Sequence, residues 1–204
     1  IVLHGDSYED AAREAERLRV ERGLTLVHAF DDDAVIAGQG TIGLELLEQV
    51  PGLDAVVVPV GGGGLSAGVA IALKEQQPAL EVYGVETQLV PSMQRALELG
   101  VPCVLPAQRS IADGINTRRV CERTLAAARR YLDGVVSVDE GEISEAVLRL
   151  LEDEKIVAEG AGAVPLAALL AGRLPLAGKR VVLVVSGGNI DVNLLSRIID
   201  RGLV

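Results

Sequence analysis

The sequence predicts an α/β fold built on a mostly parallel, doubly wound sheet. Residues 55–60 form an unbroken apolar run, and residues 180–185 form a second one after the initial arginine. Such runs are typical of strands that are buried on both faces of a parallel sheet. Strand-like and helix-like segments alternate along the whole chain. This alternation favours parallel strands joined by crossover helices that cover both faces of the sheet.

The remaining elements are predicted from local patterns. Ser7 with Asp10, and Asp139 with Glu142, have the spacing of reciprocal helix caps. The acidic run at residues 31–33 is interpreted as a loop and helix cap, because it lacks the alternating ligands and glycine turn of a metal-binding loop. Further strands are predicted at residues 1–4, 24–29, 80–86 and 134–138. Helices are predicted at residues 7–21, 37–49, 65–74, 91–97, 117–132, 139–154, around Pro165, and from about 190 to 201.

Composition excludes several classes of partner. The chain has 204 residues, a net charge of −10, 2% aromatic residues and no tryptophan, which argues against nucleic acid and anionic membranes. The longest apolar stretch, residues 161–172, is too short to span a bilayer. Two cysteines do not form a disulfide framework, so they favour a reducing cytoplasm.

Four consecutive glycines, Gly61, Gly62, Gly63 and Gly64, separate a predicted strand from a predicted helix. Because glycine has no side chain and loses the most backbone entropy on folding, packing does not account for four in a row. Exposed amides at a helix N-terminus bind anions. The run is therefore predicted to hold a phosphate, with a flexible turn as the alternative.

The glycine run alone does not determine which phosphate compound would bind. A nucleoside-triphosphate loop would end in Gly-Lys-Ser/Thr, which is absent. A dinucleotide fingerprint is formally present as Gly62-x-Gly64-x-x-Ala67, with Glu86 as a ribose acceptor. Ligands of parallel sheets bind beyond the carboxyl ends of the strands. Residues 61–64 and 186–189 are thus expected to face one ligand from two sides.

Five motifs carry a family resemblance, in this order: IAGQGTIGLELL (36–47), VPVGGGGLSAGVA (58–70), IADG (111–114), VAEGAGA (157–163) and VVSGGNID (184–191). Together they resemble the threonine dehydratase and serine racemase group of fold-type-II pyridoxal-phosphate enzymes. The resemblance implies that residues 39–204 form the large cofactor-binding domain. Residues 1–38 would be the C-terminal part of a smaller α/β domain.

The resemblance also implies roles for individual residues. The four glycines and the Leu65 amide would hold the cofactor phosphate, and Gly114 would lie beside the ring. Glu159 would lie near the polar edge of the cofactor. Ser186 would hydrogen-bond the pyridine nitrogen and leave it largely unprotonated, because a hydroxyl is a weak acid. A ring in that state suits β-elimination of a hydroxyl group.

The implied activity is deamination of L-threonine and L-serine to 2-oxo acids by a homo-oligomeric cytoplasmic lyase. Serine racemase, 3-hydroxyaspartate dehydratase, a dinucleotide-binding oxidoreductase and a non-catalytic binding module are the alternatives. The Ser-x-Lys-x-Arg-Gly-Ala context of the family's catalytic lysine is absent around Lys74, Lys155 and Lys179. That lysine is expected in a segment upstream of Ile1, so this chain alone is expected to be inactive.

A divalent-cation site is a further implication of the racemase resemblance. Glu86 would be its first ligand and the Val90 carbonyl its second, but Ser92 stands where an acid is expected. A neutral hydroxyl weakens a site for a hard cation.

Overall fold

The computed structural model describes residues 1–6 and 8–200. The elements are α1 (Tyr8–Arg22), α2 (Asp33–Gln49), β1 (Ala55–Pro59), α3 (Gly64–Gln76), β2 (Glu81–Thr87), α4 (Ser92–Leu99), a 3-10 turn (Asp113–Ile115), α5 (Glu122–Tyr131), β3 (Gly134–Val138), α6 (Glu140–Glu152), α7 (Gly160–Leu170), β4 (Val181–Leu183) and α8 (Val192–Ile199).

The four strands form one parallel sheet in the order β3-β2-β1-β4. Every residue of the central strand β1 is buried, because helices cover both faces. One face packs against α6, α7 and α8, and its core includes Val57, Val85 and Ile143. The other packs against α2 and α3, with Val56 and Leu73 fully buried. The predicted α/β class with a parallel, doubly wound sheet is confirmed.

Two predicted strands are absent. Residues 1–4 and 24–29 contain no helix or strand, and their apolar side chains are exposed, including Leu3 at 92% and Val27 at 74%. A strand requires a neighbouring strand to accept and donate its backbone hydrogen bonds. No neighbour within the described residues pairs with either segment. The local pattern was therefore insufficient, and these two predictions are wrong.

Several helix boundaries also differ from prediction. Helix α5 begins at Glu122 and not near Thr117, because the preceding segment pairs with a loop: Leu105 N donates to Arg118 O at 2.9 Å. Helix α2 begins at Asp33, four residues before the predicted start, and Asp32 caps it. The proposed domain boundary between residues 38 and 39 lies within this continuous helix, and the division remains a prediction.

Capping was predicted more accurately than length. The Asp139 side chain accepts from Glu142 N and the Glu142 side chain accepts from Asp139 N, both at 2.8 Å. The Ser7 cap and the end of the last predicted helix at residue 201 lie outside the described residues. Within residues 1–6 and 8–200, no helix has the length and apolar character that a membrane crossing requires.

Candidate active site

A cavity of about 370 Å³ lies at the carboxyl end of β1. All eight residues that the sequence assigned to a cofactor site line it: Gly61, Gly62, Gly63, Gly64, Leu65, Gly114, Glu159 and Ser186. They come from separate loops, which the parallel topology brings to one edge of the sheet. The structure thus places them together, and their individual binding roles remain predictions.

The glycine run forms the floor of this cavity and leads directly into α3. Helix α3 begins at Gly64, and its N-cap residue Gly63 has a φ of 93°, a left-handed conformation that favours glycine. No side chain caps the helix. Backbone amides at this end of α3 are therefore the groups that can meet an anion, and the helix dipole favours negative charge there.

The four glycines are nevertheless required by packing as well, which corrects the sequence-based argument. A Cβ at Gly61 would lie 2.9 Å from Ile115 Cα, and one at Gly63 would lie 2.9 Å from Thr124 Cβ. At Gly64 it would lie 2.8 Å from Phe30 Cβ, and at Gly62 it would overlap the Phe30 ring. Each position is crowded by protein atoms alone, because the loop is enclosed on both sides.

Glu159 connects the other two loops of the cavity. Its Oε2 accepts from Asn189 N at 2.9 Å, and its own N–H donates to Gly187 O at 3.1 Å. A Cβ at Gly114 would lie 3.1 Å from Glu159 Oε1, so the carboxylate lies beside the 111–114 loop as well. Glu159 is therefore a half-buried negative group that holds the 186–189 loop and borders the cavity.

Ser186 is exposed to the cavity, and its hydroxyl makes no hydrogen bond within the described part of the chain. Ser186 follows β4, and the glycine run follows β1. Because these two parallel strands are neighbours, Ser186 and the glycine run lie at the same edge of the sheet. A hydroxyl in this position is free to donate to a ligand acceptor.

Glu86 lies outside this cavity, and its carboxylate contacts the start of α4. It is 1% exposed, and its carboxylate accepts from Met93 N at 2.7 Å and from Gln94 N at 2.9 Å. Burial raises its pKa to about 8, although these amides act in the opposite direction. Glu86 therefore stabilises the first turn of α4, where a carboxyl group satisfies free backbone donors.

The cation site predicted at Glu86 finds no support. Among residues 1–6 and 8–200 there is no group of three or more His, Cys, Asp or Glu side chains that could hold a metal ion. Each oxygen of the Glu86 carboxylate accepts one backbone amide of α4.

The three lysines also lie outside the cavity lining. Lys74 pairs with Asp133 at 2.7 Å and Lys179 with Glu81 at 2.6 Å. Lys155 adopts a positive φ of 61° after α6. None of the three lines the cavity, which agrees with their lack of a catalytic sequence context.

Several cavity residues were missed by sequence reasoning. They are Tyr8, Phe30, Gln39, Asn116 and Thr117. Phe30 had one available signal, because it is the only phenylalanine of a chain with few aromatic residues. Asn116 and Thr117 follow shortly after the IADG motif, and no pattern in the sequence distinguishes them from ordinary loop residues.

Comparison with known proteins identifies relatives of the whole described fold. Residues 1–187 match the family model described as "Pyridoxal-phosphate dependent enzyme". The L-threonine ammonia-lyase of Thermotoga maritima is 47% identical over 204 residues, which are 100% of this chain and 51% of that protein. The L-threonine ammonia-lyase of Geobacter sulfurreducens is 45% identical with the same coverage. The chain thus spans about half the length of these curated relatives.

Solved structures give the same result. A threonine deaminase from the organism abbreviated T.th. superposes with a TM-score of 0.81 and 44% identity, covering 87% of this chain and 65% of that one. Maize serine racemase superposes with a TM-score of 0.89 and 32% identity, covering 100% of this chain and 63% of that one.

Proposed function

Because this chain belongs to the family of pyridoxal-phosphate dependent enzymes, we propose that it forms the phosphate-binding side of a lyase active site. The lyase converts L-threonine and L-serine to the corresponding 2-oxo acids and ammonia. The observation that carries the proposal is the convergence of the glycine run, Gly114, Glu159 and Ser186 on one cavity. The names of the relatives, L-threonine ammonia-lyase and threonine deaminase, support this substrate class.

The residues present fit the cofactor. The uncapped start of α3 suits a phosphate dianion, since its amides and dipole both favour negative charge. Gly114 leaves the cavity wall free of a Cβ on the side of the 111–114 loop. When bound, pyridoxal phosphate supplies an electron-withdrawing ring that stabilises negative charge at the carbon next to the amino group.

The chain's own residues orient that ring. Ser186 would donate its hydroxyl proton to the pyridine nitrogen, and Glu159 would keep the Ser186 loop in place through Asn189 N. A neutral hydroxyl donor does not protonate the nitrogen fully, which favours loss of the substrate hydroxyl over reactions that need a long-lived carbanion. The covalent lysine would be supplied by a segment of the same protein upstream of Ile1. We further propose a homo-oligomer that acts in the cytoplasm.

The test uses the gene product that contains these 204 residues. With L-threonine we expect equal amounts of 2-oxobutanoate and ammonia, and no reaction with D-threonine. Release of D-serine from L-serine without 2-oxo acid would favour the racemase. Retention of NAD and not pyridoxal phosphate on purification would favour an oxidoreductase.

Replacement of Ser186 tests the ring contact. We expect Ser186→Ala to weaken cofactor binding by roughly 0.5–1.5 kcal/mol, because one neutral hydrogen bond is lost. The dissociation constant of pyridoxal phosphate, measured by absorbance titration, should rise accordingly. Ser196→Ala in α8 is a suitable control, since it also removes a single hydroxyl but lies outside the cavity. Equal affinities for the parent and for Ser186→Ala would contradict the role of Ser186.

A further inference from the structure

Phe30 lies directly over the glycine run. A Cβ at Gly62 would overlap the Phe30 ring, and a Cβ at Gly64 would lie 2.9 Å from both Phe30 Cα and Phe30 O. The ring also lines the cavity. One face of the glycine run is therefore covered by a single aromatic residue that belongs to the segment before α2.

Arg123 of α5 holds this segment in place. Its NH1 donates to Asp31 O at 2.8 Å and lies 3.4 Å from Asp31 Oδ1. Its Nε lies 2.7 Å from Asp33 Oδ1. Three contacts from one guanidinium thus fix the residues on the C-terminal side of Phe30. Arginine suits this arrangement because its planar side chain carries several N–H donors.

His28 fixes the segment from the other side. Its Nδ1 accepts from Asp31 N at 2.9 Å and from Phe30 N at 3.3 Å. The imidazole packs edge-on against the Phe30 ring, with centroids 4.7 Å apart, and Tyr8 lies at 5.9 Å. The Phe30 ring therefore has aromatic neighbours that restrict its position.

Helix α5 also encloses the glycine run from behind. Thr124, the residue after Arg123, leaves no room for a Cβ at Gly63, as does Met93 of α4. The first turn of α5 therefore makes two contacts: Thr124 packs against the glycine run, and Arg123 binds the segment that contains Phe30. Helix α5 thus positions both Phe30 and the glycine run.

This enclosure limits what the amides can bind. A dinucleotide fold needs a bare second glycine so that the pyrophosphate can approach the backbone closely. Here the space that a Cβ of Gly62 or Gly64 would occupy is already filled by Phe30. On its other side the glycine run borders the cavity at the N-terminus of α3.

We infer that Phe30, held by Arg123, restricts the glycine run to a single terminal phosphate group and excludes a bridging pyrophosphate. Phe30 is thus a specificity-determining residue, and Arg123 is a positioning residue that acts through it. The inference rests on the proposed function, since it concerns the phosphate of the same site.

The first measurement uses the gene product that contains these 204 residues, with inorganic phosphate as the probe and amide nuclear magnetic resonance as the readout. In the parent, phosphate should shift the amides of residues 61–65. Arg123→Gln and Phe30→Ala should each raise the dissociation constant of phosphate about 3- to 10-fold, because the loop loses its fixed cover. Phe30→Leu should remove the ring-current shift of the Gly62 and Gly64 signals.

Arg130→Gln is the control, since Arg130 lies on the same helix and pairs with Glu75 outside the cavity.

A double variant tests whether Arg123 acts through Phe30. If it does, Arg123→Gln combined with Phe30→Ala should bind phosphate no more weakly than Phe30→Ala alone. The Gly62 and Gly64 signals should also move in Arg123→Gln, which a purely structural ion pair on the surface would not cause. Additive losses would contradict the positioning role.

Ligand selectivity gives the second measurement. The parent should bind pyridoxal phosphate but neither NAD nor pyridoxal measurably, whereas Phe30→Ala should gain NAD binding. NAD binding by the parent, or unchanged selectivity and phosphate affinity in Phe30→Ala, would overturn the inference alone. Phosphate binding at residues 61–65 without pyridoxal phosphate binding would overturn the proposed function alone. No phosphate binding by the parent would overturn both.

Discussion

Gly68→Ala is expected to destabilise the protein by about 3 kcal/mol, although alanine normally favours a helix. Gly68 is buried where α3 crosses α2. A Cβ there would overlap Ile36 O and lie 2.7 Å from Gly40 N and 2.8 Å from Gln39 Cβ. The opposing atoms belong mainly to the backbone of α2, so the clash is relieved only if the two helices separate. Urea unfolding followed by far-UV circular dichroism measures the loss.

Gly38→Ala is the matched control for this substitution. Gly38 also lies within α2, but it is exposed and has no atom within 4 Å of its Cβ position. This variant should be more stable than the parent by up to about 1 kcal/mol, because only the backbone entropy of the unfolded chain changes. If Gly68→Ala were as stable as Gly38→Ala, the close approach of α2 and α3 would be wrong.

The four sheet strands could be predicted because their information is local. Residues 55–59 are apolar throughout, as a strand covered on both faces must be. Residues 24–28 have a similar apolar pattern but form no strand, and Leu24, Leu26 and Val27 are exposed. The difference lies in the presence of a neighbouring strand, which is a property of the fold and not of the segment. Local propensity does not contain this information.

The place of the candidate site in the fold could be predicted from the sequence, but the reason for its four glycines could be predicted only in part. The glycine run and Ser186 line one cavity, because both follow strands of one parallel sheet, and their binding roles remain predictions. The reason for the glycines was only half predicted, because a ligand and a packed neighbour impose the same requirement on a backbone. Phe30 and Arg123 are 93 positions apart in the sequence. Their common action on the loop follows from tertiary contacts that neither local segment indicates.

Glu86 should give the protein an unusual dependence of stability on pH. Burial raises its folded-state pKa from the ordinary value of 4.5 to about 8. Between these two values the folded carboxyl keeps its proton while the unfolded one loses it. The folded state then binds more protons, so the free energy of unfolding must fall as pH rises. The Glu86 contribution is therefore complete below about pH 4.5 and lost as pH rises through about 8, with an upper limit on the order of 5 kcal/mol.

The expected result is a crossing of two stability curves between about pH 5 and pH 9. Glu86→Gln cannot titrate, and its side-chain NH₂ faces one of the α4 amides that the carboxyl group accepts from. It should be less stable than the parent at the acidic end, by about 1–3 kcal/mol for one unsatisfied buried donor. At the basic end the parent carries a buried charge, so the difference should vanish or reverse. Urea unfolding of both proteins across this range measures it.

Glu81→Gln, on the same strand β2, provides the control for this experiment. The Glu81 pKa is lowered because its carboxylate accepts hydrogen bonds from Lys179 and Tyr83. Its contribution is present above about pH 4.5 and is lost only as pH falls further. The difference between the parent and Glu81→Gln should thus stay constant over the range in which Glu86 titrates. A Glu86→Gln difference that is equally constant would show that the buried Glu86 carboxyl is ionised throughout, with the two α4 amides outweighing burial.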